Sequence, residues 1–113
     1  MPNQQAAQLD RLFRGLADPT RRAVLEHLGR GPAAVSELAA PFRMSLPSFL
    51  QHLDMLEEAG LVKSRKAGRV RTYRLTPQPL KVAEGWLEKQ RAIWNRRFDQ
   101  LDTYLADLKE QKS

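Results

Sequence analysis

Apolar residues recur along this chain at helical spacing, and proline and glycine interrupt them at intervals that define the elements. Leu9, Leu12, Phe13 and Leu16 share one face of a helix predicted over 4–16, with Gly15 near its end. "ADPTRRAVLEHLGRG" predicts a second helix. Asp18 is placed to cap it, Pro19 suits the first turn, and Gly29 and Gly31 close it. Ala23, Val24, Leu25 and Leu28 supply its apolar face. "AAVSELAAPF" predicts a short third helix stopped by Pro41. "SLPSFLQHLDMLEEAGLV" predicts a fourth, capped by Ser45, with Pro47 in its first turn and Gly60 as terminator.

The period then changes. Runs 61–66 and 70–75 suit strands, and Ala67-Gly68-Arg69 between them suits a hairpin turn. After Thr76 and two prolines the helical period returns and lasts almost to the C-terminus. Leu80, Ala83, Leu87, Trp94, Phe98, Leu101, Leu105 and Leu108 follow steps of three and four, with one polar gap near Gln90. The predicted fold is mainly α with a small β-hairpin, in the order α-α-α-α-β-β-α, as a single domain over 1–113. Two short helices within 35–59, joined by a tight "PFRM" turn and followed by a hairpin over 61–75, make a winged helix-turn-helix.

The long stripe implies a partner. A single chain of 113 residues cannot cover it, so the fold is expected to be dimeric through helices 4–16 and 80–109. The expected interface residues are Leu9, Leu12, Phe13, Leu87, Trp94, Phe98, Leu101 and Leu105. An amphipathic helix lying on a membrane has a similar pattern. Here the polar side mixes Glu88, Asp99, Asp102 and Asp107 with the cations, which suits a protein partner better. Trp86 and Trp94 suit interface packing, with an inducer pocket as the alternative.

Charge adds the next constraint. The net charge is +6 and the pI is about 10.2, which favours a polyanion, either nucleic acid or an anionic surface. "VKSRKAGRVRTYRL" carries Lys63, Arg65, Lys66, Arg69, Arg71 and Arg74 with no acid among them. A hairpin can lay such residues along a phosphate backbone. Strand alternation puts Lys63 and Arg65 on one face, and Arg69, Arg71 and Tyr73 together on the return strand. A cationic hairpin edge also resists aggregation. Directly after a helix-turn-helix, contact with double-stranded DNA is the stronger reading.

The fourth helix is expected to do the reading. At about 100° per residue, Phe49, Leu53 and Leu56 point inward while Pro47, Gln51, Asp54 and Glu58 point outward. Leu46 and Leu50 fall on the border, nearer the core. Gln51 matches the adenine edge, and Pro47 and Leu50 suit thymine methyls, although Leu50 equally suits core packing. Asp54 and Glu58 repel phosphate, so the C-terminal half should stand away from DNA. Ser36, Ser45 and Ser48 complete the expected contact set.

Other chemistry is thin. The chain has no cysteine, hence no disulfide, thiolate metal site or cysteine nucleophile. His27 and His52 lack a carboxylate at motif spacing and read as partly buried packing residues with a hydrogen bond. No nucleophile–base pair, metal set or phosphate loop is visible, so neither catalysis nor a cofactor is expected. No apolar run approaches the roughly 18 residues of a membrane span, and no charged-then-apolar leader opens the chain. A cytoplasmic protein with no membrane partner is expected.

"LADPTRRAVLEHL", "VSELAAPFRMSLPSFLQHLDMLEEAGLVKSRKAGRVRTYRL" and the tryptophan-bearing last helix resemble the ArsR/SmtB family of bacterial winged-helix repressors. The resemblance covers residues 9 to about 105. It implies a homodimer whose first and last helices pair, two recognition helices in successive major grooves, and repression released when a ligand binds or leaves. Two departures stand out. Metal-sensing members use cysteines near the third helix or His, Asp and Glu on the last; here the third helix reads "AVSELAA" and the last has no histidine. Neither metal arrangement is therefore expected. Many members carry "VSKHL" where this chain has "FLQHL" over Phe49 to Leu53, so a family operator sequence does not transfer. The closest likeness is to a subgroup with "SLP...QHL" and "W...RFD.LD.YL", whose inducers are mostly undefined. The expected function is a sequence-specific DNA-binding repressor acting on a palindromic operator. The alternative is a winged-helix protein-interaction module whose basic wing meets an acidic protein.

Overall fold

The structure is a computed structural model that describes residues 4–111, so the ends of the expected 1–113 span lie outside the described residues. Its elements are α1 (Gln4–Leu16), α2 (Pro19–Leu28), β1 (Ala33–Ala34), α3 (Val35–Ala39), α4 (Leu46–Glu58), β2 (Val62–Ala67), β3 (Val70–Leu75) and α5 (Gln78–Gln111). The chain separates into two compact units, one ending at Val82 and the other beginning at Ala83.

The first unit folds where its local signals indicate. Asp18 caps α2 by accepting the Arg21 amide at 3.1 Å, and Pro19 follows in the first turn, where its missing N–H has no intrahelical use. Ser45 caps α4 by accepting the Ser48 amide at 3.3 Å. That helix ends in a Schellman motif. Leu61 N donates to Leu56 O and Gly60 N to Glu57 O, which requires the positive φ of 75° at Gly60. Leu12, Val24, Leu38, Phe49, Leu53, Leu56, Leu61 and Val62 form the core, where α1, α2 and α4 pack together against the sheet.

Two expectations change here. The hairpin is part of a three-stranded antiparallel sheet in the order β1-β3-β2. Ala33 and Ala34 pair with Tyr73 and Thr72, a strand too short and too weak in intrinsic preference to show in sequence. Leu9 and Leu12, expected at a dimer interface, are instead 9% and 0% exposed within the unit's own core. Their stripe faces α2 and α4, whereas Phe13 is 39% exposed.

The hairpin turn is Gly68-Arg69, between the paired Ala67 and Val70. Gly68 has φ of 64° and Arg69 is not in positive φ, the order of a type II′ turn, whose twist matches that of the flanking strands.

The second unit is the remainder of α5, a helix somewhat longer than the expected 80–109. Leu87, Trp94, Phe98, Leu101 and Leu105 are exposed along it, with Phe98 at 62% and Leu101 at 50%. Among the described residues, no helix is long and apolar enough to cross a membrane.

Candidate nucleic-acid interface

α4 is held on its inner side and open on its outer side. Phe49 is buried and stacks at a tilt on Phe42, with ring centroids 5.5 Å apart. Pro47, Gln51, Asp54 and Glu58 are exposed, as the helical wheel requires, Ser48 is exposed as well, and Leu50 is half-buried. Ser36 on α3 and Ser45 at the cap are also exposed. Ser45 Oγ donates to Ser48 Oγ at 2.9 Å while accepting the Ser48 amide, so the cap engages both hydroxyls. Leu46 departs from expectation. It is 54% exposed instead of lying toward the core, because the first helical residue has no preceding turn to pack over.

A residue that charge alone assigns to the surface fixes α4 from behind. Arg21 is 8% exposed. Its Nε donates to Gly15 O at 2.9 Å and its Nη2 to Arg14 O at 2.8 Å. Its Nη1 meets His52 Nδ1 at 3.0 Å and Met55 Sδ at 3.4 Å, both on α4. The neighbouring Arg22 donates to Leu16 O at 2.7 Å. The consecutive arginines of "TRR" therefore close the carbonyl end of α1, where the helix dipole favours cations. Arginine can only donate, so Nδ1 of His52 accepts in this contact. Asp18 Oδ2 stands 3.7 Å from the same Nδ1. Partial burial pushes the Asp18 carboxyl up, but the Arg21 amide, His52 and the Arg21 guanidinium together hold it below its ordinary range. His52 thus has the packing and hydrogen bond expected of it. His27 Nε2 lies 3.9 Å from Glu37 Oε1.

The wing divides its charge between two faces. Directly paired residues share a face, so Val62/Leu75, Ser64/Tyr73 and Lys66/Arg71 lie on one side. Lys63/Arg74, Arg65/Thr72 and Ala67/Val70 lie on the other. Lys63 and Arg65 share a face, as alternation requires, and Arg69 sits in the turn. All six cations are exposed. Tyr73 is corrected: expected among the DNA contacts, it is 3% exposed and belongs to the core. It has the same strand parity as Arg71 but lies at the buried base of the hairpin, and burial raises its phenol above the ordinary value. Arg71 Nη1 donates to Ser64 Oγ at 2.8 Å, and Ser64 Oγ donates to Glu57 Oε1 at 2.5 Å. This relay ties the wing to the end of α4, a link that no local spacing in the sequence announces.

The geometry is a half-open helix beside a cationic hairpin, and comparisons with known proteins agree with it. A helix-turn-helix domain model matches residues 16–65. The HTH-type transcriptional regulator Rv2034 of Mycobacterium tuberculosis is 44% identical over 87 residues, covering 77% of this chain and 78% of its own. A crystal structure of an ArsR family transcriptional regulator is 51% identical, with a TM-score of 0.78 over 80% of this chain and 93% of that one. The chain belongs to the ArsR family of transcriptional regulators. Another solved relative is the homodimeric winged helix-turn-helix DNA-binding domain Mb0332 of Mycobacterium bovis. It is 26% identical with a TM-score of 0.61, over 82% of this chain and 91% of its own. These relatives indicate no enzyme family. In this ArsR-family chain, no group of three or more His, Cys, Asp or Glu placed to hold a metal occurs among the described residues.

Proposed function

We propose that the protein is a cytoplasmic, non-catalytic transcriptional repressor that binds a palindromic operator as a homodimer. In this reading the exposed side of α4 enters the major groove, and the wing contacts the adjacent phosphates. The observation that carries it is the run of six exposed cations, uninterrupted by any acid, beside the open face of α4. The polarity of α4 supports the same docking. Its first turn has no acid, whereas Asp54, Glu57 and Glu58 crowd its C-terminal half, so only the N-terminal half suits a polyanion. The exposed stripe of Leu87, Trp94, Phe98, Leu101 and Leu105 supports dimerisation through α5, with Phe13 as the contribution of α1. A palindrome follows from two-fold symmetry. A bound dimer represses by covering the promoter. Release by an inducer would not involve the thiolate or histidine metal sites of metal-sensing members, because the chain has no cysteine and its last helix no histidine.

Footprinting on the DNA flanking the protein's own gene tests this, followed by salt titration of operator and scrambled duplex. Arg65→Ala should weaken both duplexes alike and lower the salt slope by about one per subunit, because phosphate contacts release counterions from any sequence. Gln51→Ala should cost about 1–3 kcal/mol on the operator alone. Equal affinity of the native protein for operator and scrambled DNA sinks the proposal.

A further inference from the structure

α4 exposes carbon where a reading helix usually exposes donors. Leu46 is 54% exposed at the first helical position, and the ring of the exposed Pro47 follows it. Leu50, one turn on and half-buried, lies beside Leu46 on the helix. The polar atoms nearby are engaged: Ser45 and Ser48 bond each other at 2.9 Å as part of the cap. The fold gains little from Leu46. A leucine left half in water forgoes much of the benefit of burial, and a polar residue at this position would serve the helix as well.

We infer that Leu46 is a specificity-determining residue that reads a thymine C5-methyl in each operator half-site. Of the four base pairs' major-groove edges, only thymine's offers an apolar group. Against a guanine, cytosine or adenine edge, Leu46 would strip water from donors and acceptors and return nothing. The acid-free first turn that carries Leu46 is also the end of α4 that can approach a polyanion, and the exposed Pro47 beside Leu46 lies one turn before Gln51 on the same face. The occupant that fits this carbon patch is therefore a base edge in the groove and not a protein side chain.

The inference rests on the proposed DNA reading, and one experiment separates the two. On the footprinted operator, each thymine is replaced singly by deoxyuridine, which removes the methyl and nothing else. At one or two positions per half-site the native protein should lose about three- to fivefold in affinity, the value of burying one methyl-sized group. Leu46→Ala should bind the native operator as weakly as the native protein binds that deoxyuridine operator, and should no longer distinguish the two. Thermal unfolding of Leu46→Ala should match the native protein, since the side chain is exposed. A footprint insensitive to every thymine methyl overturns the assignment, as does methyl sensitivity that survives in Leu46→Ala. Absence of any footprint overturns the DNA reading and this inference with it.

Discussion

Replacing Arg21 by methionine keeps much of the side chain's length and removes all five N–H donors. The consequence can be followed atom by atom. Gly15 O would ordinarily meet the amide four residues on, but that residue is Pro19, which has none. Arg21 Nε supplies the missing donor at 2.9 Å. In the variant Gly15 O is left without it, beside a core that excludes water. Arg14 O fares better, because it also accepts the Ala17 amide at 3.3 Å. One orphaned buried acceptor costs about 1–3 kcal/mol and each bond from a charged donor about as much, partly offset by no longer burying a guanidinium. The net expectation is a loss of about 2–3 kcal/mol, a fall in Tm of about 10–20 °C for a unit of this size. Arg22→Ala provides the comparison. It removes one exposed bond to Leu16 O that water can replace, and should cost under about 0.5 kcal/mol. Urea unfolding followed by circular dichroism, at one fixed protein concentration, measures both. If Arg21→Met unfolds within about 0.5 kcal/mol of the native protein, or Arg22→Ala matches it, the capping argument fails.

Leu101→Glu combined with Leu105→Glu should convert a dimer to a monomer in sedimentation equilibrium and weaken operator binding together, without melting the first unit. An undiminished dimer would mean that the exposed stripe of α5 is not the interface. Asp18→Ala should cost about 1 kcal/mol at neutral pH through loss of the cap. Because the Asp18 pKa is depressed in the fold, its contribution is present above the ordinary value of 3.8 and is lost as pH falls through the lower folded value. The variant and native curves of stability against pH should therefore draw together as pH falls through that lower folded value; a gap undiminished well below 3.8 would contradict the assignment. Gly68→Val should destabilise by about 1–2 kcal/mol, the penalty for a side chain at φ of 64°, and an unchanged urea midpoint would refute the turn geometry.

What could be read from the sequence was what neighbours in sequence decide. Asp18, Pro19, Ser45, Pro47 and Gly60 mark helix ends because each acts on amides or carbonyls within a few residues. The inward set Phe49, Leu53 and Leu56 follows from the helical period alone. What could not be read depends on distant partners. β1 exists because Ala33 and Ala34 meet β3 some forty residues later in sequence. Arg21 is buried because two carbonyls before it and a histidine far beyond it converge on one guanidinium. Leu9 and Leu12 form an apolar stripe whichever surface covers it, and the pattern does not say whether that surface is intramolecular. Tyr73 shows the limit of alternation. It fixes the side of the sheet but not how far along the hairpin the core extends.

The two-faced wing restricts the shape of whatever neutralises it. Lys66 and Arg71 look one way, Lys63, Arg65 and Arg74 the other, and Arg69 caps the tip between them. A flat acidic plate can approach only one side of such a blade, leaving the opposite cations in solvent. A trench with negative walls on both sides meets all of them at once. The minor groove of a duplex, with a phosphate ridge on each flank, is such a trench.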